Sequence, residues 1–259
     1  VYDPKGFIWL KNNSGIYRMN VESGKYEFLG KPESFSSSSN SLVYFEDTIW
    51  LSPSAGHVSH FENGVWETEE IEAGYAYGLY VFGDELWFLG NEGIRFRKGG
   101  EWRSFIFPEE YTRGYGGMAR SGDGSLWFSS YEAVLEYDGT NWIEHKNLNG
   151  LNRMVSLDNG EVLFIYEGLI LEYKNGKFSP LVLPEDTYRY SLRNSFVDPN
   201  GDFWFVNGCN GACRYNGTEW VQFDAEKLGG FVPSQIMFAP DGATWFFSYD
   251  SWARYQPEE

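Results

Sequence analysis

Asp123-Gly124-Ser125-Leu126-Trp127-Phe128, with Tyr137-Asp138-Gly139-Thr140-Asn141-Trp142 behind it, contains a tight turn, an apolar strand, a second strand, a Gly-centred hairpin and an aromatic outer strand. The Trp127 position recurs as Trp9, Trp50, Trp87, Leu163, Trp204 and Trp245, at successive spacings of 41, 37, 40, 36, 41 and 41 residues. A period near 40 residues with turn signals inside each copy is the mark of a β-propeller or another repeat array. Within each copy the apolar residues come in runs of three to six, rich in β-formers and flanked by Gly, Asn and Asp, which argues for strands over helices. Only Gln222 to Leu228 offers as much as a helical turn.

Seven copies of a four-strand unit predict an all-β, seven-bladed propeller of four-stranded antiparallel blades, read as one domain over residues 1–259. The copies fall at about 1–30, 40–69, 77–107, 117–146, 153–183, 194–223 and 235–256. The first lacks most of its first strand and the last lacks its fourth, giving 26 strands, so the terminal blades are incomplete or are closed by pairing of the chain ends. Radial repetition leaves only short sheet edges. A two-sheet sandwich would not explain the near-constant period. The repeated Trp is placed to lean on the next blade, and Leu163 leaves less filled volume there unless its neighbours compensate.

The net charge is −17 over 259 residues, and no basic face is available to replace phosphate counterions, so nucleic acid is excluded as a partner. Anionic membrane surfaces are disfavoured for the same reason, and no apolar run approaches the roughly 18 residues of a spanning helix. The chain opens on Val1 inside a repeat, as a mature or excised fragment would. Cys209 and Cys213 in Gly208-Cys209-Asn210-Gly211-Ala212-Cys213 are either two thiols beside a turn or a disulfide across it. Asn12-Asn13-Ser14 and Asn216-Gly217-Thr218 match the glycosylation pattern.

Asp-x-x-Gly-x-Leu-Trp-Phe followed by an aromatic residue, Asp/Asn-Gly and Trp resembles the two-component regulator propeller repeat, over nearly the whole chain. Copies four, six and seven are close to it. Copy five departs at Leu163, and copies two and three carry Asp47 and Asp84 where the first turn has Gly. The resemblance implies a seven-bladed propeller of the kind found in extracellular or periplasmic sensor regions, where it binds carbohydrates or other signals. More distantly it resembles the lyases that open virginiamycin-type lactones. A shared scaffold does not by itself transfer a task.

Ligand-binding candidates follow from position. The first residues of the inner strands read Asn40, Tyr77, Gly117, Arg153, Asn194 and Gln235, and line one mouth of the channel or simply face its water. The inter-blade loops add Tyr75, Tyr111, Arg113, Tyr115, Tyr188, Arg189, Tyr190 and Arg193, whose rings and guanidinium groups suit sugars, peptides or carboxylates, or else fold back on blade edges. The expected partner is therefore a small carbohydrate or peptide, or another protein domain.

Enzyme chemistry is thin: no nucleophile elbow, phosphate loop or zinc motif occurs. No catalytic residue, metal ligand or cofactor is expected. His57 and His60, three apart on a strand, face opposite ways, and His145 on a fourth strand reads as a surface residue. Asp198-Pro199-Asn200-Gly201-Asp202 faintly resembles a calcium loop, but it occupies the ordinary first turn of its copy and lacks the downstream Glu.

Overall fold

The structure is a computed structural model that describes residues 1–256 apart from 34, 36–40, 53–55, 109–115, 130–132, 147, 149–150, 167, 175, 186, 188–191, 193–194, 207–208 and 240. It is an all-β, seven-bladed propeller. Six blades are four-stranded antiparallel sheets whose strands neighbour one another in chain order, and the seventh has three strands. The blades span residues 2–28, 42–70, 76–105, 117–146, 151–180, 195–224 and 235–255. There are 27 described strands rather than 26. The difference is Tyr2–Asp3, the tail of the first copy's inner strand, which pairs with Ile8 and Phe7 and so counts as a two-residue strand of its own. The Gln222 to Leu228 stretch continues its blade's fourth strand to Asp224 and then makes one turn, closed by Leu228 N–H on Asp224 O.

The chain falls into two compact units, Val1–Tyr115 with blades 1 to 3 and Gly116–Glu259 with blades 4 to 7. In the first unit, Trp9 and Ile16 of blade 1 meet Ile49 and Leu51 of blade 2. Trp50 and Val58 of blade 2 meet Leu79, Leu86 and Phe88 of blade 3. In the second unit, Trp127 and Val134 pack on Met154 and Phe164, Leu163 and Ile165 on Phe203 and Phe205, and Trp204 and Phe223 on Ile236 and Phe246. Each core thus lies between consecutive sheets, because strand alternation turns one face of a blade forward and the other back. A single Trp buries about 150–250 Å² in such a seam.

The recurring indoles also need an acceptor for their N–H. Trp9, Trp127 and Trp204 each find one six residues upstream: Asp3 Oδ2 at 2.6 Å, Ser121 Oγ at 3.2 Å and Asp198 Oδ2 at 2.9 Å. Trp50 donates to Phe45 O and Trp87 to Glu85. Where the indole is missing, so is its acceptor: Leu157 stands six residues before Leu163, and both are buried in one cluster with Trp220 against it. That pairing is the compensation Leu163 requires.

The outer hairpins place their aromatic pair directly across the ladder, as Phe61 with Trp66, Tyr137 with Trp142, Tyr173 with Phe178 and Tyr215 with Trp220. Ring centroids in these pairs lie 4.7–5.1 Å apart, close enough to add about 0.5–1.5 kcal/mol each beyond burial. Blade 2 makes its first turn without Gly by holding both Glu46 and Asp47 at positive φ, 46° and 61°, a conformation that costs about 1–2 kcal/mol per ordinary residue.

Cys209 and Cys213 are joined by a disulfide buried in the core between blades 5 and 6. It bridges a separation of only four residues, so loop closure contributes about 2 kcal/mol. The Cys209→Ala/Cys213→Ala double variant is expected to lose that amount in a denaturant titration, and reductant is expected to move the wild-type midpoint but not that of the variant.

Candidate functional site

Side-chain oxygens hold backbone at both ends of the blades, as Asn12 Oδ1 does for Ser14 N–H and Asn91 Oδ1 for Tyr75 N–H, but among the described residues more of them do so at one end. At the end that carries the first-to-second and third-to-fourth strand turns, side-chain oxygens are spent on local backbone. Asp138 Oδ1 accepts from Thr140 and Asn141 N–H at 2.8 and 2.7 Å, and Asn216 Oδ1 accepts from Thr218 and Glu219 N–H, both at 2.9 Å. The Ser121 hydroxyl and then the Ser125 N–H hold the Asp123 carboxyl below its usual range. Backbone N–H groups do the same for Asp138 and Asp241, from Asn141 and Ala243 respectively. The calcium-like loop belongs to this pattern: Asp198 takes the N–H groups of Asn200 and Asp202 on Oδ1 and the Trp204 indole on Oδ2.

Long connections lie at the other end. They run from the fourth strand of one blade to the first strand of the next, as between Phe105 and Gly117 and between Pro180 and Ser195. Tyr77 is the second residue of blade 3's first strand, Gly117 the first of blade 4's, Arg153 the third of blade 5's and Gln235 the first of blade 7's. Tyr77, Arg153 and Gln235 are exposed. Arg153 also donates from Nη1 to Ser195 O at 2.6 Å, tying blade 5 to the first residue of blade 6's inner strand. Tyr75 is 68% exposed in the connection before blade 3. Asn40, Tyr111, Arg113, Tyr115, Tyr188, Arg189, Tyr190, Arg193 and Asn194 lie outside the described residues.

Two histidine–carboxylate groups sit on third and fourth strands, away from the inner-strand starts. His145 is not a surface residue: its side chain is 15% exposed. It stacks on Trp127 with centroids 5.2 Å apart, and its Nε2 is bonded to Glu136 Oε2 at 2.9 Å. Beside it a cleft of about 460 Å³ opens between blades 4 and 5, lined by Asp123, Trp127, Glu136, Asn159, Glu161 and Tyr173. Burial, and then the charge of Glu136, raises the Tyr173 hydroxyl above its ordinary pKa.

The equivalent cleft between blades 1 and 2 is smaller, about 200 Å³. Its floor is covered by the Arg18 guanidinium, 4.6 Å from the Phe7 ring and 5.5 Å from the Trp9 ring. The ladder explains the contrast. The residue opposite the repeated Trp is Arg18 in blade 1 and Glu136 in blade 4.

In blade 2 that opposite residue is His60, on a strand that also carries His57 facing the other way. Sequence reading missed both histidine–carboxylate groups. The available signal was the hairpin register, which brings an acid opposite or diagonal to each histidine.

No protein-family model matches the chain and no curated protein is similar to it. Solved structures are similar in fold. The extracellular domain of a hybrid two-component system, BT3049 of B. thetaiotaomicron, superposes with TM-score 0.71 at 14% identity, over 100% of this chain and 38% of that one. The extracellular domain of a one-component system, BT4673 of the same organism, gives 0.67 at 12% identity, over 100% and 41%. This chain therefore spans about two fifths of the length of those sensor domains. Virginiamycin B lyase from Staphylococcus aureus gives 0.59 at 15% identity, over 84% of each chain. At these identities the likeness establishes a seven-bladed propeller fold common to sensor domains and lyases.

Proposed function

We propose that the chain is a non-catalytic recognition module of the sensor type, working outside the cytoplasm and taking a carbohydrate or peptide on the connections between blades. The observation that carries this reading is the division of labour between the blade ends. One end carries the greater share of the carboxylates and amides that hold turns among the described residues. The other presents long connections with exposed Tyr75, Tyr77 and Arg153, to which the sequence adds Arg113, Tyr115, Tyr188, Arg189, Tyr190 and Arg193. Aromatic faces beside planar donors suit sugar rings and carboxylates at modest entropic cost. The similar extracellular domains of two regulatory systems support the sensor assignment, and a buried disulfide is the kind of crosslink that persists in oxidising compartments.

A glycan and peptide array probed with wild type, Tyr75→Ala/Tyr77→Ala and Arg189→Ala/Tyr190→Ala tests this. Binding is expected to fall at least tenfold in one or both variants. Binding that survives in both removes these connections from the site, and wild-type binding only to folded proteins would make the module a protein-interaction scaffold instead.

A further inference from the structure

We infer that the outer hairpin of blade 2 is a divalent transition-metal site, with His60, Glu62 and Glu67 as ligands and zinc as the fitting ion. The hairpin geometry brings them together. His60 and Glu62 are two apart on the third strand and so share a face, while Glu67 on the fourth strand stands directly opposite His60. The ligand atoms of the three residues all lie within 4.8 Å of one another, the one such convergence of three His, Cys, Asp or Glu residues among the described residues. His60 Nε2 is 3.4 Å from Glu62 Oε2 and 3.8 Å from Glu67 Oε2. Ligands held about 2.0–2.2 Å from a tetrahedral ion are separated from one another by about 3.3–3.6 Å. Small rotations of two exposed carboxylates close the remaining gap.

A cluster of acids alone would be a solvated patch. His60 makes the difference, because its side chain is only 10% exposed. It is clamped against Trp50, with centroids 4.5 Å apart and 28° between planes, and its Nδ1 is buried without a hydrogen bond.

His145 provides the internal comparison. It too is stacked on the repeated Trp of its blade, but it satisfies itself with one short bond to one carboxylate. His60 instead has three carboxylates around it, at 3.4, 3.8 and 3.5 Å, and its Nδ1 forms a hydrogen bond with none of them. Among the described residues no cation other than His60 pairs with Glu62 or Glu67.

The third carboxylate supplies an outer shell. Glu69 Oε1 lies 3.5 Å from Nδ1, and its other oxygen accepts from the Trp102 indole at 2.8 Å and lies 3.7 Å from Arg97 Nη1. A carboxylate behind an imidazole fixes the tautomer that leaves Nε2 free to ligate. One imidazole and two carboxylates favour zinc and its first-row neighbours over calcium or magnesium, which take all-oxygen sets. Three protein ligands leave the outward position to water or to a ligand's donor atom.

The untagged chain, stripped with chelator and titrated with Zn²⁺ by calorimetry, tests the site. One ion per chain is expected to bind, with Ca²⁺ and Mg²⁺ unable to compete at equal concentration. Because His60 is packed in the core, the decisive variant is Glu62→Gln/Glu67→Gln, whose side chains are exposed. It is expected to keep the wild-type near-ultraviolet circular dichroism and lose at least 30-fold in Zn²⁺ affinity. Glu69→Gln, a positioning change, is expected to lose roughly 10-fold. Co²⁺ should give a visible absorption band in the wild type that is absent in the double variant. No stoichiometric Zn²⁺ binding, or binding unchanged in the double variant, overturns the assignment.

Discussion

Trp204→Ala is expected to destabilise the protein by about 3–5 kcal/mol, the range for truncating a buried Trp. The side chain is 1% exposed at the seam between blades 6 and 7. It stacks on Phe223 at 5.2 Å and touches Phe238 and Phe246 of the next blade at 5.8 and 6.0 Å. Its indole N–H also donates to Asp198 Oδ2 at 2.9 Å. The truncation removes ring contacts on both sides of the seam and leaves a carboxylate oxygen short of a donor, so the cavity and the polar loss add. Trp245→Ala, at the same repeat position but half-buried and with Ala239 where Trp204 has Asp198 six residues upstream, serves as the control and is expected to cost less than about 2 kcal/mol. Guanidinium titrations of both variants check the ordering. Equal losses would show that repeat position, rather than the seam itself, sets the cost.

Asp3→Ala is expected to cost about 2–4 kcal/mol. The carboxylate is buried and serves three donors: Lys5 and Phe7 N–H at 2.9 and 3.1 Å on Oδ1, and the Trp9 indole at 2.6 Å on Oδ2. Bonds to a charged acceptor contribute about 1.5–3 kcal/mol each, and donors stranded without water cost more than the mean bond is worth. Asp3→Asn keeps an acceptor on one side only, so it is expected to recover about half the loss. The measurement is the denaturation midpoint of the two variants beside wild type. A full recovery by Asn would mean that the charge itself contributes nothing.

Much of this was legible in the residues, for reasons that can be named. Trp at a period near 40 carries the inter-blade seam, and Tyr-Asp-Gly-Thr-Asn-Trp carries a hairpin because its Asp accepts two backbone N–H groups and its rings meet across the ladder. Val1-Tyr2 reads as the tail of an inner strand, and Tyr2–Asp3 is that strand, although two residues carry no period of their own. The burial of His145 was not legible. A fourth strand is usually outermost and wet, and here the diagonal placement of Glu136, the ring of Trp127 and the edges of Tyr173 and Phe178 from the next blade hold this side chain inward. The His60 group required knowing which residue of the fourth strand stands opposite it, a register set by the Glu62-Asn63-Gly64-Val65 turn with Asn63 at positive φ. The connections between blades carry no repeating pattern at all. Their Tyr and Arg residues could be read only as chemistry, not as geometry.

Three outer-strand indoles reach back to the blade before them: Trp66 to Leu29 O, Trp102 to Glu69 and Trp220 to Val182 O, across 37, 33 and 38 residues. None of these bonds waits for distant chain, which keeps the entropic cost of closure small and nearly constant from one bond to the next. During synthesis blades 2, 3 and 6 therefore each meet a surface already finished and latch onto it about one repeat later. A nascent chain halted partway would expose two raw faces to its chaperones, the back of its first blade and the front of its last.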